Sequence, residues 1–394
     1  MYITPVAELS ARIRRFQKEM AVKDIAGSLI VQNTDLYYFT GCVWPAYLFI
    51  PLEGKPVFLN RHRGEIEAPW TWPVVKLDKL NKLPGILNDF GLPVSGNIGL
   101  ELDVLPVLFV QRLQKALPGR DFTDVGRLIR QVRAVKSSWE IDIMRRYAEK
   151  DLYLWAQVPE MISKAQTDLD IAASFEAQAR KQGQQGIIRL RSFNMEMNTA
   201  CIFAGEPGAA LSAYDVPTCG TGLNPAFPFG AAGTILKPGQ PICIDFGSCY
   251  SAYVLDHTRM FVINYLPDQA KHAFETALAI QHEMVAFIKP GVSCGELFKR
   301  ARAIAENAGL LEGFMGALGG VPFLGHGVGL EVDEFPVLAR GSKELLEEGM
   351  VIAIEPKFSL PGIGAVGIEN CFAVTKEGVE RLTLSPDDIQ IVSK

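Results

Sequence analysis

Two stretches of the sequence repeat one pattern that ends in a carboxylate. Residues 236–245 read LKPGQPICID and residues 346–355 read LEEGMVIAIE, so both follow Leu-x-x-Gly-x-x-Ile-x-Ile-acid. The pattern predicts a glycine turn and then an apolar strand that ends at Asp245 in the first copy and at Glu355 in the second. Another acid follows each copy, Asp256 and Glu369 respectively. Four carboxylates in apolar strands are costly to bury unless a cation neutralises them, which favours a metal site over two hairpins that merely share a common turn.

A histidine lies between the two copies. His326 stands in the glycine-rich run FLGHGVGLEVD at 323–333, where glycines let another backbone or a substrate approach closely. Strand alternation places the small residues Cys243 and Ala353 on the same faces as the acids, which leaves room for an ion. One imidazole and four carboxylates suit two divalent cations such as Mn, Co, Fe or Zn. A structural histidine in a glycine-rich strand is the alternative interpretation.

The composition is that of an ordinary globular protein with a mild excess of acid. The chain has 394 residues, 48% of them apolar, with 39 Lys and Arg against 44 Asp and Glu and a net charge of −5. This length predicts two or three domains, and the acidic balance argues against nucleic acid or a membrane as a partner. The seven cysteines are scattered without a CxxC pair, and no secretory signal is visible. Together these features predict reduced thiols in a cytoplasmic protein.

Periodicity divides the chain into a smaller α/β region and a larger α+β region. Ser137 and Glu140 form a capping-box pattern at the boundary, which predicts domains over 1–134 and 135–394. Strands are predicted at 26–32, 46–51, 57–60 and 97–101, and helices at 10–20, 104–117 and 125–135. The second region is predicted to hold helices at 139–164, 167–183, 268–288 and 293–308, with antiparallel hairpins between them.

The motifs around the acids and the histidine resemble one enzyme family. Ile-Asp245-Phe-Gly, Leu-Asp256-His-Thr-Arg, Gly-His326-Gly-Val-Gly, Ile-Glu355-Pro and Gly-Ile-Glu369-Asn follow the order and spacing of the pita-bread metallopeptidases. That family includes Xaa-Pro aminopeptidase, prolidase, methionine aminopeptidase and creatinase. The run YYFTG at 37–41 resembles the Tyr-x-x-Thr-Gly element of the creatinase-type N-terminal domain. The resemblance implies a creatinase-type α/β domain at the N-terminus, followed in the chain by a pita-bread catalytic domain, as in the prolidase and Xaa-Pro aminopeptidase branch.

The resemblance also implies a role for each ligand. Asp245 would chelate one metal, Asp256 and Glu369 would bridge two metals, and His326 and Glu355 would complete the second. Water held between the two divalent ions, with manganese among the candidates, would be the nucleophile. Glu355 would be the general base and then the general acid in hydrolysis of a peptide or amide bond of Xaa-Pro type. Family members with two domains commonly form homodimers, so a homodimer is expected.

Three positions depart from the family pattern. Phe229 and Asp333 stand where peptidases of this branch usually carry histidines, and Gly367 stands where arginine is common. An apolar wall at Phe229 and a negative charge at Asp333 would favour a small cationic or zwitterionic substrate. Alternatively, Phe229 belongs to the core and Asp333 pairs with an arginine.

Arginines complete the set of candidate pocket residues. Arg189 and Arg191 lie in a strand-like run and would bind a substrate carboxylate in a bidentate manner, or else form surface salt bridges. Arg259 is counted with the pocket, although pairing with a carboxylate would make it a brace for the site. His257 is expected to point away from the face of Asp256.

Two other functions remain open from the sequence alone. The departures at Phe229 and Asp333 allow a shifted reaction, either C–N hydrolysis of a small non-peptide molecule or a lyase reaction. A non-catalytic binding protein on the same scaffold is a further alternative, which the retention of all five ligand types disfavours. The same retention disfavours metal-independent creatinase chemistry.

Overall fold

A computed structural model describes residues 3–65, 67–90 and 96–394 of the chain. It divides into two compact units, Met1–Arg133 and Ala134–Lys394. The boundary expected from the sequence lies between residues 134 and 135.

The N-terminal unit is built on a mixed six-stranded sheet. Its helices and strands, in chain order, are α1 (Val6–Val22), β1 (Gly27–Ile30), α2 (Asn33–Thr40), β2 (Ala46–Pro51), β3 (Val57–Asn60), β4 (Val74–Lys76), α3 (Leu83–Asp89), β5 (Ile98–Leu100), α4 (Val107–Ala116), β6 (Phe122–Asp124) and α5 (Gly126–Ala134). The strand order is β4-β3-β2-β1-β5-β6, with β1 antiparallel to β2 and parallel to β5. Leu29 and Phe49 of the sheet pack in one cluster with Leu87 of α3 and Leu113 of α4.

The C-terminal unit contains three sheets and five helices among its described elements. In chain order they are α6 (Ser138–Trp155), α7 (Val158–Lys164), α8 (Asp168–Lys181), β7 (Ala200–Ala204), β8 (Pro241–Ser251), β9 (Tyr253–Ile263), α9 (Asp268–Phe287), α10 (Cys294–Asn307), β10 (Phe323–Gly327), β11 (Glu334–Ala339), β12 (Val351–Ile354), β13 (Lys357–Leu360), β14 (Gly364–Gly367), β15 (Asn370–Val374), β16 (Val379–Arg381) and β17 (Gln390–Val392). The sheets run β17-β9-β8-β7, β11-β10-β12-β15-β16 and β13-β14.

The two sequence repeats lead into strands of two different sheets of the C-terminal unit. The first repeat leads into β8, which pairs antiparallel with β9, so that Asp245 lies opposite Thr258 and Gly247 opposite Asp256. The second repeat leads into β12, which lies between β10 and β15. The β13–β14 hairpin lies between Glu355 and Glu369. Glu355 directly follows β12, and Glu369 directly precedes β15.

Alternation along β8 separates two cores, as the sequence indicates. Ile242 and Ile244 pack with Trp155 of α6 and Phe175 of α8 in one cluster. Cys243 belongs to a second cluster, together with residues of α9, α10 and β12. Each side of the strand is therefore fixed by burial, which also fixes the direction in which Asp245 points.

Several predicted elements differ from those observed. The single helix predicted at 139–164 is two helices, α6 and α7, because Pro159 in the first turn of α7 has no N–H to continue a helix. The run with Arg189 and Arg191 is irregular rather than a strand. Asp245 lies in the middle of β8 rather than at its end. The capping box of Ser137 and Glu140 is confirmed at the start of α6.

None of the helices in the described part of the chain is long and apolar enough to cross a lipid bilayer. All seven cysteines are free thiols, as their scattered spacing predicts.

A buried carboxyl group joins α6 to the strand that carries Asp245. Asp151 is 2% exposed and accepts hydrogen bonds from the hydroxyls of Ser248 and Tyr250 on β8. Burial raises the pKa of Asp151 from 3.8 to about 7. The folded protein therefore keeps a proton on this group that the unfolded chain releases above about pH 4.

We expect this proton to make stability fall as pH rises. From about pH 5.5 to about pH 7.5, Asp151 should remove about 2 kcal/mol of the free energy of unfolding. Burial raises the pKa of nearby Tyr250 and Cys371, so both stay neutral over this range, and the Lys150 ammonium lies 5.2 Å from the Tyr250 ring. Urea unfolding should show a flatter profile for Asp151→Asn than for the wild type. The exposed Asp142→Asn should keep the wild-type slope, and equal slopes for all three proteins would contradict the assignment.

Candidate metal centre

The five candidate ligands come from two sheets and the connections between strands. Asp245 and Asp256 lie on the paired strands β8 and β9, and His326 lies on β10. Glu355 and Glu369 lie just after β12 and β14. All but Asp245 and His326 are at least 93% buried, and those two are partly buried. The repeat and the glycine-rich run therefore do place their polar groups in an apolar interior, as the sequence predicts.

Three of these residues could together hold one metal ion. Asp256, His326 and Glu369 each offer a ligand atom, and these atoms lie within 4.8 Å of one another. The Oε1 atom of Glu355 is 3.6 Å from Nε2 of His326. Close strand packing requires Gly325 beside the histidine, because a Cβ there would lie 2.0 Å from the carbonyl oxygen of Ala353. One imidazole with carboxylates suits Mn, Co, Fe or Zn.

A lysine that the sequence analysis missed lies among the carboxylates. The Nζ atom of Lys357 donates to Asp245 Oδ2 at 2.8 Å, Glu355 Oε2 at 2.8 Å and Glu369 Oε2 at 3.2 Å. Its side chain is 3% exposed. Lys357 lies two residues after Glu355, at the start of the strand KFSL, so this spacing could have suggested that the two side chains face the same way.

Burial and mutual repulsion govern the charges of this cluster. Burial, together with the charge of the neighbouring Asp245, raises the pKa of Asp256 to about 7. Burial also raises the pKa of Glu369 well above its ordinary value, and Asp256 adds to the effect. For Lys357, burial lowers the pKa, but the surrounding carboxylates outweigh burial and hold the pKa well above 10.5. The carboxylates are thus stable as anions only with cations beside them.

Other buried side chains fix the position of Glu369. Thr258 donates its hydroxyl to Glu369 Oε2 at 2.9 Å. Arg259 is buried, and its guanidinium donates to the carbonyl oxygens of Thr258, Glu369 and Ser385 and to the side chain of Asn370. The structure therefore places Arg259 as a brace behind Glu369 rather than as a wall of a pocket.

The two positions that depart from the family pattern have different surroundings. Phe229 is 3% exposed and packs against Tyr214 and Phe227, with ring centroids 5.9 and 5.8 Å away. Asp333 accepts hydrogen bonds from the backbone N–H of Arg191 and from the N–H and hydroxyl of Ser192. Phe229 therefore belongs to the apolar core, and Asp333 anchors the segment that contains Arg191.

Arg189 lies at a cavity of about 500 Å³. Other residues that line it include Arg180, Cys249 and Leu330. The Nη1 atom of Arg189 is buried without a hydrogen-bond partner. A guanidinium in this state is suited to bind an anionic group, which keeps Arg189 as a candidate for a substrate carboxylate.

His257 contributes to the core and not to the cluster. It is 1% exposed, its ring lies 4.8 Å from that of Trp155, and burial lowers its pKa well below 6.5. This is the orientation that strand alternation predicts.

The described residues fit one divalent ion better than two. The position next to Asp256, His326 and Glu369 has a suitable set of donors. The position that the resemblance gives to an ion chelated by Asp245 is instead reached by the Lys357 ammonium. A second ion would fit only if that side chain moved away.

Comparisons with known proteins cover nearly the whole chain. The profile for "Metallopeptidase family M24" matches residues 142–376, and that for "Creatinase/Prolidase N-terminal domain" matches residues 12–135. A Xaa-Pro dipeptidase of Pyrococcus horikoshii is 30% identical over 95% of this chain and 97% of its own length. The crystal structure of the prolidase from Pyrococcus horikoshii OT3 matches with a TM-score of 0.77 at 27% identity, over 96% of this chain and 99% of that one. X-Pro aminopeptidase from Thermotoga maritima has the same fold, with a TM-score of 0.78 at 24% identity and coverage of 95% and 100%.

Proposed function

The chain belongs to metallopeptidase family M24, a metal-dependent peptidase family, and on this premise we propose that it hydrolyses the peptide bond of small Xaa-Pro substrates. The predicted family and the predicted fold, a creatinase-type N-terminal domain followed in the chain by a pita-bread domain, are confirmed. The observation that carries the proposal is the group of Asp256, His326 and Glu369 with Glu355 beside it. The names of the relatives, Xaa-Pro dipeptidase and prolidase, support the substrate class.

In this proposal the buried residues hold the ion and move protons. A divalent ion would be held by Asp256, His326, Glu355 and Glu369, and when bound it supplies Lewis acidity that activates water and polarises a carbonyl. The carboxylate of Glu355 takes the proton from the attacking water and passes it to the leaving nitrogen. Thr258 and Arg259 keep Glu369 in place through the hydrogen bonds described above.

Arg189 is the proposed contact for the carboxylate of a dipeptide. Its side chain lines the cavity, and its buried Nη1 atom has no hydrogen-bond partner, which supports this role; none of the described residues that line the cavity is one of the five candidate ligands. In this proposal neither Phe229 nor Asp333 contacts the substrate. Phe229 packs in the core, and Asp333 holds the segment at Arg191.

A second candidate is a related reaction on a small non-peptide molecule. It is supported by the surroundings of Phe229 and Asp333, neither of which supplies the imidazole that the resemblance leads one to expect there. C–N hydrolysis or a lyase reaction would use the same cluster of carboxylates.

We expect purified protein loaded with Mn or Co to hydrolyse Xaa-Pro dipeptides or longer Xaa-Pro peptides. A chelator should abolish turnover, and added metal should restore it, because His326 and the carboxylates hold the ion. His326→Ala should lose the metal-stimulated activity, whereas His282→Ala, an exposed histidine on α9, should keep it. Loaded protein that cleaves no Xaa-Pro peptide, but does convert a small amide or amine, would favour the second candidate.

We also propose a cytoplasmic homodimer. The seven free thiols support a reducing compartment. The dimer follows from the resemblance, and gel filtration with light scattering would test it.

A further inference from the structure

We propose that the ammonium group of Lys357 permanently takes the place of one metal ion, so that the centre binds a single divalent ion. The inference rests on the proposed function only in treating the ion next to His326 as the catalytic one. Lys357 would then be part of the centre itself, a cation supplied by the chain beside a cation taken from solution.

The hydrogen bonds of Lys357 account for its whole donor capacity. An ammonium carries three N–H donors and no acceptor. The structure provides three different carboxylates for them, those of Asp245, Glu355 and Glu369. Nζ therefore lies within hydrogen-bond distance of three carboxylate oxygens, which is the place that the second ion would need.

A second ion at the same oxygens would contact the ammonium. Metal–oxygen bonds to carboxylates are about 2.0–2.2 Å long, whereas Lys357 Nζ is 2.8 Å from oxygens of both Asp245 and Glu355. An ion bound to these oxygens would lie beside Nζ, and two cations in contact in a buried site repel strongly. The Lys357 side chain is 3% exposed and is therefore buried with the carboxylates that it contacts.

The neighbouring strand is shaped for this lysine. Lys357 at the start of β13 pairs with Gly367 at the end of β14. A Cβ at position 367 would lie 2.6 Å from Lys357 Cγ and 2.6 Å from the carbonyl oxygen of Pro356. Gly367, one of the three departures from the family pattern, thus gives the lysine stem its space.

The remaining position is complete without Asp245. Asp256, His326 and Glu369 bring their ligand atoms within 4.8 Å of one another. Glu355 faces His326 with its Oε1 atom, while its Oε2 atom is bound by Lys357. The four carboxylates and the ammonium carry three net negative charges, which one divalent ion largely neutralises.

Metal content and Mn²⁺ electron paramagnetic resonance test the inference without any assay of turnover. Titration of wild-type protein with Mn²⁺ should end at one ion per chain, with the spectrum of an isolated ion. Lys357→Gly removes the ammonium and should bind two ions with an exchange-coupled spectrum. Lys343→Gly, at an exposed lysine in a loop, should behave like the wild type.

A second variant guards against loss of the fold by Lys357→Gly. Lys357→Met keeps the stem and removes only the charge, which leaves the carboxylates without their internal cation. In EDTA its melting temperature should fall by roughly 10 °C relative to the wild type, and Mn²⁺ should restore most of this loss.

Each outcome decides the inference. Two coupled ions in the wild type, one ion in both lysine variants, or no ion in any of the proteins would overturn it. The proposed function can fail while the inference about Lys357 holds: this is the case when wild-type protein with one bound ion cleaves no peptide. Two bound ions in an active wild type would leave the proposed function in place and remove only the role of Lys357.

Discussion

Changing Glu355 to Gln should lower kcat by a factor of roughly 10²–10⁴ at saturating metal. Glutamine has nearly the same shape but no basic oxygen to take a proton from water. Lys357 would keep its bonds to Asp245 and Glu369, so the fold should remain intact. KM should change little, because the lost interaction belongs to the transition state.

The measurement is steady-state kinetics with metal content and melting temperature determined on the same samples. Glu355→Asp keeps a carboxylate and should recover part of the lost kcat. The control is Glu348→Gln, the same substitution at an exposed glutamate in the turn before β12, which should have no effect. Wild-type kcat in Glu355→Gln with its full metal content would show that another group is the base.

Short-range patterns account for most of what could be predicted from the sequence. The strands β2 and β3 have the predicted bounds because turn residues on both sides limit them. The ligands could be predicted because each stands in a local strand motif, and the structure brings Asp256, His326 and Glu369 together. Pro159 could have divided the helix predicted at 139–164, since its effect is also local.

Contacts between distant residues could not be predicted in this way. Arg259 pairs with a carboxylate as expected, that of Asp387 at 3.4 Å, but its other partners include the carbonyl of Ser385, 126 residues away. Asp333 was expected to face a substrate or an arginine side chain, and its hydrogen bonds from backbone N–H groups 141 and 142 residues away were not predicted. Such partners depend on how the sheets pack, which a strand pattern does not record.

The lysine in the carboxylate cluster changes how the centre is understood. The five ligands alone suggest two ions, because four carboxylates need several positive charges. Lys357 supplies one of those charges from within the chain, and its position two residues after Glu355 makes it part of the same motif. A ligand set that is complete in sequence is therefore not sufficient to count the ions, since neighbouring cationic side chains also neutralise it.

A buried ion pair holds Glu334, which lies in the segment that follows His326. Lys136 Nζ lies 3.0 Å from Glu334 Oε2, and the two side chains are 1% and 2% exposed. The other oxygen of Glu334 accepts from the backbone N–H groups of Leu330 and Glu331. Because Glu334 pairs with Gly327 next to the histidine, the pair connects the start of the C-terminal unit to the centre.

Lys136→Met should lower the free energy of unfolding by about 3–5 kcal/mol, because it leaves the Glu334 charge buried without the ammonium. Urea unfolding measures the loss, and Glu334→Gln added to Lys136→Met should recover part of it by removing that charge. The matched control is Lys164→Met, which breaks the exposed pair of Lys164 with Glu160 and should cost less than about 1 kcal/mol. A loss in Lys136→Met no larger than in this control would mean that the pair does not stabilise the segment after His326.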